Sequence, residues 1–526
     1  MHKARPADRR TGRPKQGKRW LISAIAFLVF GAQPAAAVSE EVPVEVVRGV
    51  PDQISIDLVA QLEQLQALLA APGAAVQSNA ALVEAAGLSA LVRSADFSTA
   101  GAAESRPITS RPVEVTRFNM RLALTPLTQA FGADDNASVI AAQTTPDGTA
   151  LVINKGDASF ADLQAASGAG VTGALTLRQP LIIMAGASLS LVTGDVLQLS
   201  RPDGAFVVNF GHLEIRGGTI AATGDANPLA RNFAPFVTTA EAGTLNIQGG
   251  HISGLGFGET LKFSGFSVMR SVLQIPDRAN RIENAEFEDN LSVSISGDSD
   301  LLLRGNRFHD MRGPSLILSR TKAARVVSNL FFGAMPTNAI RLESGSSFGL
   351  IAGNIVLGGE RAGIVVRSDS PDATVSQNIV WSRDGGGIAL ITADCSRVYE
   401  NLVIGNAQKG IEVRDSLAAI LRQNMVFSND SAGIWVSDQP DGAQTRLTGN
   451  IVSFNGAGLA GADTELILME GNDFSKQYQQ FLSGDLALLT ADVARNMTGI
   501  APFVLASAGH STILPSTLTD EGTCSD

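Results

Sequence analysis

Four segments of the chain fall into register when written one beneath another: LIAGNIVLGGERAGIVV (350–366), TVSQNIVWSRDGGGIAL (374–390), RVYENLVIGNAQKGIEV (397–413) and ILRQNMVFSNDSAGIWV (420–436). Each carries an Asn at its fifth place (Asn354, Asn378, Asn401, Asn424). Each carries a Gly-Ile pair nine residues later (Gly363, Gly387, Gly410, Gly433). The Asn marker continues outward to Asn306 and Asn329 on one side and to Asn450 and Asn472 on the other. Its successive intervals are 23, 25, 24, 23, 23, 26 and 22 residues. Two independent markers on one beat define a repeat, and a unit this short cannot bury its own apolar face, so the units must stack.

Within each unit the apolar residues alternate over four to six positions, as strands do, and Gly and Asn supply the corners. Two or three strands with corners leave no room for a helical crossover. The solution is a right-handed parallel β-helix of about 24 residues per coil, with coils ~4.8 Å apart like neighbouring strands. Stacked Asn side chains can hydrogen-bond along the axis, which makes the recurring Asn structural. Less regular copies of the rhythm reach back through Arg281-Ile-Glu-Asn284, Leu245–Gly250 and His212–Gly218 to Ala174–Arg178. The β-helix is placed at 145–475, roughly fourteen coils. Its open strand edges need covers, assigned to an N-terminal segment (38–144) and a C-terminal cap and tail (476–526) with a helical stretch near Ser483–Asn496. Leu58, Val59, Leu62, Leu65, Leu68 and Leu69 fall on one helical face that should end before Pro72-Gly73. That helix is expected to pack on the end of the main domain.

Composition narrows the function. Of 526 residues, 53 are Gly and 17% are charged, and 44% hydrophobic content can fill a large core, which excludes disorder and collagen. Residues 1–37 read as a signal peptide: eight basic residues, the apolar stretch Trp20–Gly31, then Ala35 and Ala37 at a small-x-small site. An uncleaved anchor is the alternative. Removing eight bases and one acid from 40 and 51 leaves 32 and 50, a mature charge of −18. The expected location is periplasmic or secreted, with no membrane span after cleavage, and such acidity argues against nucleic-acid binding. With two cysteines, Cys395 and Cys524, the chain holds either one disulfide or two thiols. No cofactor is expected, and no His, Asp and Glu set has metal-ligand spacing.

On the Gly-Ile strands the inward pairs are Ile340/Leu342, Ile364/Val366, Ile388/Leu390, Ile411/Val413 and Ile434/Val436. The outward columns then read Arg341, Val365, Ala389, Glu412, Trp435 and Glu343, Arg367, Ile391, Arg414, Ser437. Arg320, Arg341, Arg367 and Arg414, with Glu343 and Trp435, form a candidate positive strip for an extended anionic chain. His309-Asp310 is a candidate base with its orienting carboxylate. The alternative for each is a solvated surface residue.

Arg178-Gln-Pro-Leu-Ile, Gly204–Asn209, Pro235-Phe236, Gly254–Phe257 and the Gly-Ile strands together resemble the periplasmic mannuronan C5-epimerases, from about Leu175 to Ser437. That resemblance implies an acidic polysaccharide as partner, together with proteins of exopolysaccharide synthesis or export. It also implies proton removal at C5 beside a neutralised carboxylate, with return of a proton on the opposite face. The family's Gly-Ile-Asp-Pro-His-Asp motif corresponds to Ser315–Ser319 and Arg320. Leu318 is assigned to the catalytic His place, Leu316 and Ser319 to the two acids, and Ser344 to an Arg. The expected function is therefore epimerase-like action on, or guidance of, a uronate polymer. A polysaccharide lyase is one alternative. The other is a non-catalytic structural or adhesive β-helix, favoured by the acidity and the scarcity of aromatics.

Overall fold

A computed structural model describes residues 51–71, 77–89, 91, 112–119, 136–143, 148–168, 173–271, 279–477, 480–496, 502–506 and 512–515. The signal-peptide assignment lies outside them. The described residues wind into a right-handed parallel β-helix of about 13 turns. Three parallel sheets form its faces. Sheet A is built from the Gly-Ile strands, such as Ile364–Arg367 and Ile388–Ile391. Sheet B holds the strands before each ladder Asn, such as Thr374–Ser376 and Arg397–Tyr399. Sheet C holds the strands after it, twelve in number from Leu175–Leu177 to Ile451–Ser453.

Both sequence markers have a physical cause in this architecture. The Asn side chains form a continuous ladder from Asn306 to Asn472, with none more than 2% exposed. Each Nδ2 from Asn306 to Asn450 donates to the next Asn Oδ1 at 2.8–3.0 Å. The left-handed residue at this corner is the one before the Asn, for example Ser328, Gln377, Glu400 and Gln423, all at φ 53–56°. Gly387 and Gly410 are required by close approach. A Cβ there would stand 2.3 and 2.4 Å from the Cγ1 atoms of Val403 and Val426, which fill the core from sheet C. A second ladder, Asn406–Asn429–Asn455–Gln477, runs along the corner between sheets C and A.

Inside, Phe287, Phe308 and Phe331 stack coil on coil with centroids 5.1 and 4.7 Å apart. The strand Glu114–Asn119 pairs antiparallel with Thr149–Ser159 at the first coil, and Phe503–Ala506 pairs antiparallel with Leu466–Glu470 at the last. Helix Phe160–Ser167, closed by a Ser159/Asp162 capping box, packs Leu163 into the core, while Leu486, Leu489 and Val493 join the same core from the other end.

The N-terminal helices do not sit on an end. Helix α1 (Pro51–Ala70) and helix α2 (Asn79–Ala85) lie along the flank of sheet C. Leu58, Leu62, Leu65 and Leu69 of α1 pack with Ile355, Leu357, Ile379, Trp381, Leu402 and Ile404. Sheet C is apolar on both faces over these coils, and each fully buried Leu contributes about 1.5–3 kcal/mol to the contact. Arg307 fastens its edge: Nε donates to Asn79 Oδ1 at 2.7 Å and Nη2 to the Gln77 carbonyl.

Candidate functional site

Over its first coils the outer face of sheet A is covered. Thr238 and Ser267 donate to the Lys262 carbonyl at 2.6 and 3.0 Å, beneath a cluster that includes Phe233, Phe236, Phe257 and Phe263. The strand Leu316–Ser319 is still buried, the face opens at Ile340–Glu343, and the columns read from the sequence are present from there. Arg341, Val365, Ala389, Glu412 and Trp435 are successive register partners, and Arg367, Ile391, Arg414 and Ser437 form the adjacent column.

The charges on this face are compensated, which corrects the expectation of a positive strip. Arg367 Nε donates to Glu343 Oε2 at 2.9 Å, and Arg341 Nε stands 3.8 Å from the same oxygen. Lys409 pairs with Glu412 at 2.7 Å while lying 4.6 Å over the Trp435 ring, and Arg414 is 4.0 Å from Asp438. Arg320 is not in the Arg341 column. It occupies a corner at φ 53°, from which Nη2 donates to Ser296 Oγ at 2.7 Å. What the face offers is two small clusters separated by an apolar floor of Val365 and Ala389. Arg341–Glu343–Arg367 carries one net positive charge, and Lys409–Glu412–Trp435 presents an aromatic ring. Burial, and then the like charge of Arg367, lower the Arg341 pKa, with Glu343 pulling the other way. Arg341 Nε and Trp435 Nε1 are buried donors without a hydrogen-bond acceptor among the described residues. They lie four coil steps apart, roughly 19 Å at ~4.8 Å per coil.

The strand Leu316–Ser319 also revises the alignment with the epimerase motif. Leu316 and Leu318 are fully buried in the core, so neither can face a substrate. The outward positions are Ile317 and Ser319, partners of Arg341 and Glu343 on the next coil. Neither side chain is a base of useful strength at neutral pH.

His309 lies on sheet C, not sheet A, so the structure does not join it to the arginines. Its contact with Asp310 is present, Nδ1 to Oδ2 at 3.0 Å, but Nε2 is also engaged, 3.2 Å from Glu286 Oε1 one coil below. The ring stacks on Phe332 with centroids 5.0 Å apart. Burial opposes its charge, yet hydrogen bonds to Glu286 and Asp310 and the fields of Glu286 and Glu288 outweigh it and raise the pKa above 6.5. With both ring nitrogens engaged by carboxylates, His309 presents no free nitrogen to a substrate, and the pair reads as a polar cluster that also takes in His251, 3.0 Å from Glu288. Because the folded pKa is the higher one, the stability it supplies is complete below pH 6.5 and is lost as pH rises through the raised value. The thermal midpoint of wild type should exceed that of His309→Gln at pH 6, and the gap should narrow on the alkaline side. A gap that widens with rising pH would contradict this assignment.

Among the described residues no group of three His, Cys, Asp or Glu side chains is placed to hold a metal ion. Cys395 is in a disulfide, and the sequence's one other cysteine, Cys524, lies outside the described residues. No described helix is long and apolar enough to cross a membrane.

Residues 337–485 match the family described as periplasmic copper-binding protein (NosD), and residues 252–403 match the right-handed β-helix region. The 337–485 stretch contains no His and one Cys, the disulfide-bonded Cys395, so its residues do not fit a copper centre and the match follows the coil pattern. The mannuronan C5-epimerase of Pseudomonas putida is 22% identical over 288 residues, 50% of this chain and 53% of that protein. The mannuronan C5-epimerase AlgG of Azotobacter vinelandii is 24% identical over 282 residues, with the same shares. The chain thus spans about half the length of the curated relatives it matches. The crystal structure of the periplasmic alginate epimerase AlgG superposes with a TM-score of 0.60 at 19% identity, covering 74% of this chain and 96% of that one. By sequence over half its length, and by fold over most of it, the chain resembles the mannuronan C5-epimerases.

Proposed function

We infer that this chain is a mannuronan C5-epimerase-like β-helix protein of the periplasm or the exported fraction, and that it binds and guides an acidic uronate polysaccharide on the outer face of sheet A. The observation that carries the reading is one outward column that joins the net positive Arg341 cluster to Trp435 across a floor of Val365 and Ala389. An extended chain rich in carboxylates would meet the more exposed Arg367 of the positive cluster, and its sugar rings would meet the part-exposed Trp435. Proton abstraction at C5 needs an outward base beside a neutralised carboxylate, and the strand that would present it offers Ile317 and Ser319. Guidance of the polymer is therefore favoured over epimerisation or elimination.

Two measurements test the reading. Incubation with mannuronate and guluronate polymers should leave the proton NMR signature of C5 configuration unchanged and develop no unsaturated-uronate absorbance. Either signal would restore catalysis. Changing Arg341 and Arg367 together to Ala should weaken polymer binding by ~1–3 kcal/mol, since two charge-assisted contacts are lost. Unaltered affinity would remove sheet A as the binding face.

A further inference from the structure

Sheet B carries the run of positive charge that sheet A lacks. Its outward positions from Leu302–Arg304 to Gln444–Thr448 lie on seven consecutive coils. These seven strands contain Arg304, Arg325, Arg397, Arg422 and Arg446 and no carboxylate. Arg304 is paired with Glu283 on the preceding coil through an Nε bond of 2.9 Å. The side chains of Arg325, Arg397 and Arg422 have no hydrogen bond or ion pair among the described residues. Arg422 is exposed and is the register partner of Tyr399, while Arg397 and Arg446 flank Ile420 in the neighbouring column. Acidic side chains return on the sheet outside this run, as Glu283, Glu214 and Asp157 on one side and Glu470 on the other. At the nearest corner Glu400 is already engaged by Gln377 Nε2 at 2.8 Å.

We propose that the outer face of sheet B is a second track for a linear anionic polysaccharide, lying along the helix axis with Arg397, Tyr399 and Arg422 at its centre. The shape selects the ligand. Seven coils span roughly 29 Å along the axis, whereas the outward residues of a three-residue strand are only ~7 Å apart. A long narrow strip of this kind matches a chain polymer better than a globular acidic protein or a flat bilayer. Between the arginines one column carries the part-exposed Leu350 and Thr374, while the other is floored by the buried Val327, Ala352 and Ser376. On a chain whose net charge is −11, a polyanion is repelled elsewhere and concentrated here, because exposed charges act only within ~8 Å at physiological ionic strength. Two faces engaged at once would raise avidity for a long polymer without any new contact on either.

The proposal rests on the reading that the chain handles an acidic polysaccharide, and the test separates the two. Full-length wild type, Arg397→Ala/Arg422→Ala, Arg397→Lys/Arg422→Lys and Arg341→Ala/Arg367→Ala would be titrated with polymannuronate, with neutral dextran and with phosphatidylglycerol vesicles. The sheet B alanine pair should bind polymannuronate about tenfold more weakly at low salt, with the deficit closing as salt rises. The lysine pair should retain most of the affinity, and both sheet B variants should keep the wild-type thermal midpoint. Unchanged polymannuronate affinity in the sheet B alanine pair, alongside loss in the sheet A pair, overturns the second track and leaves the proposed function standing. Equal loss on dextran, or arginine-dependent capture by vesicles without an effect on the polymer, also overturns it. Absence of polymannuronate binding by wild type overturns the functional reading itself.

Discussion

Replacing Asp298 by Ala should lower the unfolding free energy by about 3–5 kcal/mol, the cost of leaving a charge buried without its partner. Asp298 and Arg270 are both fully buried, with Arg270 Nε 2.9 Å from Asp298 Oδ1. Burial is the leading influence on both, lowering the Arg270 pKa and raising that of Asp298, while their mutual attraction opposes each shift. The pair is tied into neighbouring coils. Asn280 Nδ2 donates to Asp298 Oδ2 at 2.8 Å, and Arg270 Nη2 donates to the Gly243 carbonyl at 2.9 Å. A guanidinium cannot shed its proton in a protein, so the Ala variant strands it. Arg270→Met combined with Asp298→Leu removes both charges and should recover most of the loss, because apolar replacement of a buried pair is often neutral or stabilising. Thermal midpoints of the single and double variants decide the matter. A double variant no more stable than Asp298→Ala would mean that the pair is not what holds this corner.

The fold was legible because its two markers answer to two hard constraints. Asn378 stands where a buried corner needs a side chain that donates and accepts at once, and Gly387 where a Cβ would collide with Val403. The docking of the N-terminal helices was legible only in part. The strands Ile355–Leu357, Ile379–Trp381 and Leu402–Ile404 are apolar at all three positions, the pattern of strands buried on both faces. That run marks the receiving surface, but nothing local says which segment covers it. The assignment of Leu318 to an outward place shows how little margin a period of two leaves: a slip of one residue exchanges core and surface. The apolar character of Leu316 and Leu318 was itself the signal that they point inward. His309 and Asp310 are neighbours in sequence, whereas Glu286 reaches His309 only because the coil there is 21 residues long, which sets His309 beside Glu288 and diagonal to Glu286. The basic face of sheet B stayed hidden for the same reason. Arg325, Arg397, Arg422 and Arg446 lie far apart in the chain and align only once every coil length is known.

The Asn ladder leads to the second large effect. Asn378 is fully buried, and its side chain serves three neighbours. Oδ1 accepts from the backbone N and the Nδ2 of Asn354, both at 2.9 Å, while Nδ2 donates to the Ile351 carbonyl at 2.9 Å and to Asn401 Oδ1 at 3.0 Å. Asn378→Ala leaves polar atoms on both adjoining coils without partners, at about 1–3 kcal/mol for each orphaned group. The expected loss is about 3–5 kcal/mol, more than an exposed corner residue would cost. Asn378→Asp keeps the shape and the acceptor but removes the donor and places a carboxylate where water cannot reach. Burial raises the pKa of such an acid. The stability its neutral form preserves should therefore be present in acid, below the ordinary carboxyl value, and be lost as pH rises through the raised one. Measured across pH, the Asp variant should approach wild type in acid and fall away towards neutrality, whereas the Ala variant should stay displaced by a constant amount. Parallel pH profiles for the two variants would show that the ladder is held by shape alone, and that its hydrogen bonds add nothing to the stacking of coils.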